Sequence, residues 1–437
     1  IAPISVYAPC GSHEDLLPYL VRRLLENGAN SSFVNKLLDA KTPLNDIVAD
    51  PVADARAHRE KRHAKIPLPK DIYGAGRVNS AGLDITEETM VSPLLSEIQK
   101  AGGRKFEAAP LFGGKKYKEG AGRSVTSPTD NAKTIGHVWE VNEALIDKAF
   151  AVAKSGFRAW DATPAEERAA ALERFGDLME KHRAELMALI AMEGGRTVED
   201  GLSEVREAVD FCRYYAQRGR EEFSNVGMRL PGPTGERNIL TQYGRGVFVC
   251  ISPWNFPLAI FVGQITAALM AGNAVIAKPA SPTPLIAMRA VELMIEAGIH
   301  PEAINLLPGG GRMGGVMVAH PDVAGVAFTG STEVAWGINR TLAAKNGPIV
   351  PFIAETGGQN AMIADSSALP EQIVDDVVVS AFRSAGQRCS ALRVLHIQED
   401  TADKVIEMLK GAMAQQRIGD PLSLSADIGP VIDAPSR

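Results

Sequence analysis

The sequence is short of several things, and each shortage narrows what the chain can be. Four cysteines in 437 residues, Cys10, Cys212, Cys250 and Cys389, form no CxxC pair and no metal-ligand spacing. A disulfide scaffold and a structural zinc site are therefore not expected, and a reducing compartment, the cytoplasm, is the simplest setting. No apolar run has the length that crosses a bilayer. Positive charge is not in excess: the formal net charge is -6, so the chain offers no broad electrostatic attraction for nucleic acid or an acidic membrane. There is no initiating Met and no signal-peptide pattern at IAPISVYAP, and the last residues, GPVIDAPSR, read as the middle of a domain. The expectation is an internal piece of a longer polypeptide. A full G-x-G-x-x-G after a strand is also missing, which removes the standard dinucleotide fingerprint.

What is present falls into stretches of different character. Residues 1–45 read as a strand, a tight turn and a helix, with Ser12 as N-cap, Asp15 in the first turn and Gly28 as the stop. Residues 46–118 hold the charged run DARAHREKRHAK, the proline-punctuated IPLPKDIYG and a helix VSPLLSEIQKAGG, a connection with some structure of its own. Residues 141–220 carry the periodicity of three long amphipathic helices; Pro164 starts the second and Gly194-Gly195 ends it. From 246 onward, short β-branched runs (GVFVCI, NAVIAK, INLL, VAGVAF, PFIAE) alternate with helical stretches. That alternation predicts a doubly wound α/β domain around a parallel sheet buried on both faces, with its ligand at the carboxyl ends of the strands.

Five motifs could carry chemistry, four of them where those strands end. GQRCSALR, 386–393, surrounds Cys389 with Gln387, Arg388 and Ser390 rather than with apolar residues. A lone Cys is usually a small buried hydrophobe, but a neighbouring cation or helix amino terminus favours a reactive thiolate. AETGGQN, 354–360, ends a strand on Glu355 before two glycines. The carboxylate either caps a turn or serves as a general base where Gly357 and Gly358 allow close approach. SPWNFPLAI, 252–260, holds Asn255 between two prolines, a side-chain amide suited to an oxyanion. VAFTGSTEVAWG, 326–337, brings Gly330 and Ser331 to a helix start, which is either an ordinary cap or a phosphate site. IAKPASPTP, 276–284, puts Lys278 at a strand end within reach of ribose hydroxyls.

Taken in order, PWNFP, KPA, FTGST, ETGG and GQRC resemble the aldehyde dehydrogenase superfamily over roughly residues 119–437. The resemblance implies a cofactor-binding domain at 119–354 and the start of the catalytic domain at 355–437. It implies Cys389 as the nucleophile that forms a thiohemiacetal, Asn255 and the Cys389 N–H as oxyanion donors, and Glu355 as activator of the water that hydrolyses the thioester. Ile251, Pro253, Trp254, Lys278, Ser281, Gly330 and Ser331 fall at NAD-contacting positions, and Phe256 and Ser390 at aldehyde-contacting ones. NAD-preferring members often carry Glu where Ser281 stands, so NADP is expected to be tolerated beside the preferred NAD. The family's E-x-F-G-P segment would fall beyond Arg437. No metal is implied.

The other end resembles a different fold. YAPCGSHEDLLPYLVRRLLENGAN is similar to the last strand and helix of the proline dehydrogenase (βα)8 barrel, and IPLPKDIYG…RVNSAG to the linker of the bifunctional bacterial proline utilization family. By that resemblance Arg22 and Arg23 bind the proline carboxylate, Tyr7 and Tyr19 belong to the same site, and Glu26 forms an ion pair. The spacing is compatible, since Tyr19, Arg22, Arg23 and Glu26 share one helix face, which is also what a solvated basic patch would look like. Glu204 matches a position near the substrate's amino group, although a mid-helix glutamate is ordinarily just exposed. The implied activity is proline to glutamate in two oxidations, with FAD in a barrel lying mostly before Ile1, proline and glutamate semialdehyde as substrates, a homo-oligomeric state, and a peripheral membrane or quinone contact. Rival readings are a stand-alone dehydrogenase for another semialdehyde, separable by the length of the natural chain; a DNA-binding repressor, separable by gel shift; and a silent structural relative, against which Cys389, Glu355 and Asn255 stand together.

Overall fold

The computed structural model describes residues 11, 12, 14, 16, 17, 21, 33–57, 66–224 and 226–437. Tyr7, Tyr19, Arg22, Arg23 and Glu26, with the expected barrel strand and most of the expected helix, lie outside the described residues. The chain divides into two compact units, residues 1–67 and 68–437. In the first, the described elements are short helices at Phe33–Leu38, Leu44–Ile47 and Pro51–Ala57.

The second unit is built on an open sheet. Its strands and helices alternate from residue 247: β1 (Val247–Ile251), α1 (Ala259–Met270), β2 (Ala274–Lys278), α2 (Pro284–Glu296), β3 (Ile304–Leu306), α3 (Gly311–Ala319), β4 (Val323–Gly330), α4 (Thr332–Ala343) and β5 (Phe352–Thr356). The spatial order is β3-β2-β1-β4-β5, all parallel. The hairpin Leu111–Phe112/Lys115–Lys116 adds two antiparallel strands beyond β3. Every residue of β2 and β3 is buried, which is why these segments read as unbroken apolar runs. The chain moves outward from β1 through β2 to β3, then returns to the other side of β1 for β4. Its strand order reverses there, so a crevice opens at the carboxyl ends of β1 and β4.

The helices expected from residues 141–220 form at Glu143–Ala162, which packs on β1, β2 and β3, and at Ala165–Lys181, Arg183–Gly194 and Val198–Glu222, which pack on α1 and α2. The single helix expected after Pro164 is two helices, broken at His182 (φ -97°, ψ 19°). The halves have different tasks: Ala165–Lys181 keeps a wet face, whereas every residue of Leu186–Gly194 is buried. Gly195 ends the helix Arg183–Gly194 in the left-handed region (φ 67°), where glycine is the least strained residue.

After β5 a small second core forms around β6 (Asn360–Ala364), α5 (Pro370–Val377), β7 (Leu392–Ile397) and α6 (Glu399–Gln415). Ala364, Ile373, Val374, Val377, Leu392 and Val405 pack there, apart from the main core.

Candidate active site

The motifs collect at the strand-order reversal. Pro253, Trp254 and Asn255 follow β1; Thr329 and Gly330 end β4 and Ser331 follows it; Thr356 ends β5 and Gly357 follows it; and Gly386–Cys389 with Arg393 close the far side. Together with Ala385 and Ser436 they line a cavity of about 480 Å³. Cys389 is a free, exposed cysteine on its wall. Cys212 and Cys250 are fully buried, and burial pushes the Cys250 thiol up to about 12 and the Cys212 thiol higher still, so neither ionises near neutral pH.

The loop that presents Cys389 has an unusual backbone. Ser384 (φ 58°), Ala385 (φ 56°) and Gly386 (φ 68°) occupy the left-handed region in succession, and only the last is glycine. Two non-glycine residues there cost roughly 1–3 kcal/mol each, so surrounding bonds must hold them. Gln387 does much of this. Its side chain donates to Ser384 O (3.0 Å) and Pro430 O (3.4 Å) and accepts from Ile432 N (2.9 Å). Arg393 donates to Gly386 O, and Asn360 to the Cys389 and Ala391 carbonyls. The Arg388 guanidinium turns to the Val379 and Ser380 carbonyls, and burial lowers its proton affinity.

Asn255 sits opposite. Its Nδ2 donates to Gln387 O at 3.0 Å, and its own carbonyl accepts from Arg196. A side-chain amide has two N–H groups, so one is left for a substrate oxygen. Glu355 is exposed on β5, paired across from Thr329; its successors Thr356 and Gly357, not Glu355 itself, line the cavity. Ser390 is exposed beside Cys389. Ile251 is half-buried at the end of β1, and Phe256 lies under the Arg196 guanidinium, 4.5 Å from ring centroid to charge centre.

Glu204 is 1% exposed, so the solvated alternative does not hold. Its Oε1 accepts from Leu258 N (2.6 Å) and Ala259 N (3.2 Å), capping the start of α1. Burial pushes it up to about 7 against the pull of Arg196. Glu193 does the same for α2, accepting from Leu285 N and Ile286 N at 2.7 and 2.9 Å, with burial raising it to about 8. Sequence reasoning missed Glu193, Arg196 and Asp200, because nothing local marks a charge that is used across the fold.

A second group lies beside the cavity. Lys278 is buried, its Nζ donates to Pro279 O (3.1 Å), and burial depresses it to about 8. Ser281 Oγ reaches Gly309 O at 3.4 Å, and the Ser281 carbonyl accepts from Arg123 (3.1 Å). Gly310 and Gly311 follow, where an added Cβ would meet nothing within 4 Å. Ser331 caps α4 by accepting from Val334 N at 3.3 Å. A buried ammonium, an open glycine turn and a capped helix start form a donor set that fits a dinucleotide. Among the described residues no group of His, Cys, Asp and Glu could hold a metal, and no helix is long and apolar enough to cross a membrane.

Two family patterns match the chain: the aldehyde dehydrogenase family over residues 117–437, and proline dehydrogenase over residues 2–36. The first covers most of the chain and all of the cavity, and the chain belongs to the aldehyde dehydrogenase family. More narrowly, it is 49% identical over its full length to the bifunctional protein PutA of Klebsiella aerogenes, of which it spans 33%. A crystal structure of a Bradyrhizobium japonicum proline utilization A (PutA) mutant matches 98% of the chain and 40% of that protein, at 52% identity and a TM-score of 0.82. A 1-pyrroline-5-carboxylate dehydrogenase from Thermus, solved with bound NAD, matches 79% of the chain and 67% of that protein, at 30% identity and a TM-score of 0.74. The chain thus spans about a third of the length of the curated bifunctional relatives it matches.

Proposed function

We propose that the chain carries an NAD-dependent dehydrogenase for L-glutamate γ-semialdehyde, the open form of 1-pyrroline-5-carboxylate, and that it works within a polypeptide that also oxidises L-proline with FAD. The observation that carries the first half is one cavity lined by Cys389, Asn255, Ser331 and the end of β5, in a chain resembling both the bifunctional enzymes and the single-activity dehydrogenase. The proline dehydrogenase match over residues 2–36 supports the second half. In this reading residues 1–45 end the barrel, 46–118 link, 119–354 bind NAD and 355–437 begin the catalytic domain.

The residues divide the work. The Cys389 thiolate attacks the aldehyde carbon, giving a thiohemiacetal whose oxygen is held by the second N–H of Asn255 and by the backbone N–H of Cys389. NAD, when bound, supplies the hydride acceptor. Lys278 and Ser281 would hold its adenosine side and the α4 start at Ser331 its pyrophosphate, with Ile251, Pro253, Trp254 and Gly330 as walls. Loss of hydride leaves a Cys389 thioester. Glu355, at the strand end beside Gly357, takes a proton from water as that water attacks, releasing the carboxylate and returning the thiol. Phe256 and Ser390 shape the aldehyde side.

The test is single-turnover kinetics on the natural full-length chain. Cys389→Ala should abolish aldehyde oxidation while leaving NAD affinity nearly unchanged. Glu355→Gln should keep a burst of NADH formation and slow the phase that follows it. Turnover surviving in Cys389→Ala would overturn the nucleophile; a lost burst in Glu355→Gln would assign Glu355 to an earlier step.

A further inference from the structure

A buried carboxylate stands behind the nucleophile loop, and the proposed mechanism makes no use of it. Asp200, 2% exposed, lies in the first turn of the helix Val198–Glu222. Its Oδ1 accepts from Arg383 Nε at 2.6 Å and its Oδ2 from Ser384 Oγ at 2.8 Å. Ser384 is the first of the three left-handed residues that lead to Cys389. The Arg196 guanidinium is 3.9 Å from the same carboxylate and donates to the Asn255 carbonyl. Asn255 in turn donates to Gln387 O, and Gln387 donates to Ser384 O. The bonds close a ring, Asp200–Ser384–Gln387–Asn255–Arg196, that joins the loop of the nucleophile to the loop of the oxyanion donor.

We propose that Asp200 is a positioning residue for aldehyde oxidation: through Ser384 and Arg383 it fixes the strained approach to Cys389, and through Arg196 it holds Asn255 in register with that thiol. This rests on Cys389 being the nucleophile. The ring explains three otherwise unconnected facts. Ser384 and Ala385 keep conformations that an unsupported loop would leave. Arg196, 5% exposed, is balanced by Asp200 at 3.9 Å together with Glu204 at 3.7 Å. Burial raises the proton affinity of Asp200, but Arg196 and Arg383 outweigh it, so the group stays ionised and both oxygens remain acceptors. The two arginines and Asp200 also act electrostatically on Arg388, the neighbour of Cys389.

Positioning and mere structural support separate in one experiment on the natural full-length chain, comparing wild type, Asp200→Asn and Ser384→Ala. Three quantities are read: kcat and KM for the semialdehyde, NADH affinity by fluorescence, and the pH midpoint of iodoacetamide alkylation at Cys389, followed by peptide mass. Asp200→Asn should lose about tenfold or more in kcat, since small misplacements at a reacting centre cost up to about a hundredfold, with little change in KM or NADH affinity. Its alkylation midpoint should fall, because Arg196 and Arg383 each lose one of two carboxylate partners, keeping Glu204 at 3.7 Å and Glu199 at 3.0 Å respectively. Ser384→Ala keeps the charge and should lose kcat with an unmoved midpoint. Wild-type kcat or an unmoved midpoint in Asp200→Asn overturns the proposal. If Asp200→Asn does not fold, wild-type kcat in Ser384→Ala overturns it instead. Failure of the function itself is told apart by Cys389→Ala, whose surviving turnover would discard the nucleophile and leave the alkylation midpoints unaffected.

Discussion

Ser281 is the side chain proposed to set the cofactor preference. It sits three residues after Lys278, its hydroxyl turned to Gly309 O and its carbonyl held by Arg123. A carboxylate in its place would accept from ribose hydroxyls and repel a 2′-phosphate; serine repels nothing, and Lys278 adds a nearby positive charge. NAD should therefore be preferred with NADP measurable, and Ser281→Glu should cut kcat/KM for NADP about tenfold, on the order of 1.4 kcal/mol, while sparing NAD. Comparing kcat/KM for both cofactors in the two proteins checks this; an unmoved ratio would mean that residue 281 does not face the ribose. Asn255 and Gly330 could be found from sequence because they stand at the ends of apolar strands, and Cys389 because its flanks, Gln387, Arg388 and Ser390, are polar. Asp200 could not, since its partners lie 183 and 184 residues away and nothing in TVEDGLSE separates it from an exposed first-turn acid.

Between β1 and β5 the elements follow from the sequence, because a strand buried on both faces leaves an unmistakable apolar run. Three features did not. The edge hairpin at residues 111–116 is too short to show a period. The break at His182 answers to two different packing partners, which no local pattern encodes. Ser384 and Ala385 adopt left-handed conformations that their residue types do not favour, so only the fold imposes them. Helix starts bring a consequence of their own. Glu204 caps α1 from a dry site, and burial raises it to about 7, above its ordinary range near 4.5. The folded chain then holds a proton there that the unfolded chain has released, so stability contributed below about pH 4.5 is lost as pH rises toward 7 and the loss levels off above it. In Glu204→Gln the amide oxygen can still accept both N–H groups but does not titrate. Urea unfolding from pH 4.5 to 8 should show the variant gaining on wild type by on the order of 2–3 kcal/mol across that window, with no further gain above it. A parallel pair of stability curves would mean that Glu204 is already ionised in the fold at low pH.

At the scale of the whole molecule, two oxidations are proposed for one polypeptide, and they should be separable. Arg22 and Arg23 fall in the stretch that matches proline dehydrogenase. A charge-assisted contact from either to the substrate carboxylate is worth about 1.5–3 kcal/mol, so Arg22→Met or Arg23→Met should raise KM for proline by roughly ten- to a hundredfold. Oxidation of added semialdehyde should not change. Flavin-dependent dye reduction and NADH formation, measured side by side, read the two activities; unchanged proline kinetics in both variants would return the pair to a solvated patch.

The anchoring of Gln387 also has a consequence in time. Its side chain bonds Ile432, 45 residues further along the chain. Ribosomes add about 5–20 residues per second, so several seconds pass between synthesis of the nucleophile's neighbour and that of its clamp. During that interval β1 to β5 are already complete in sequence, and the loop of Cys389 can make its bonds to Asn255, Asn360 and Arg393 but not those from Gln387 to Pro430 and Ile432. A nascent chain paused there would display Cys389 on a finished set of strands with its loop only partly clamped. The final setting of the thiol therefore trails the completion of the scaffold that displays it.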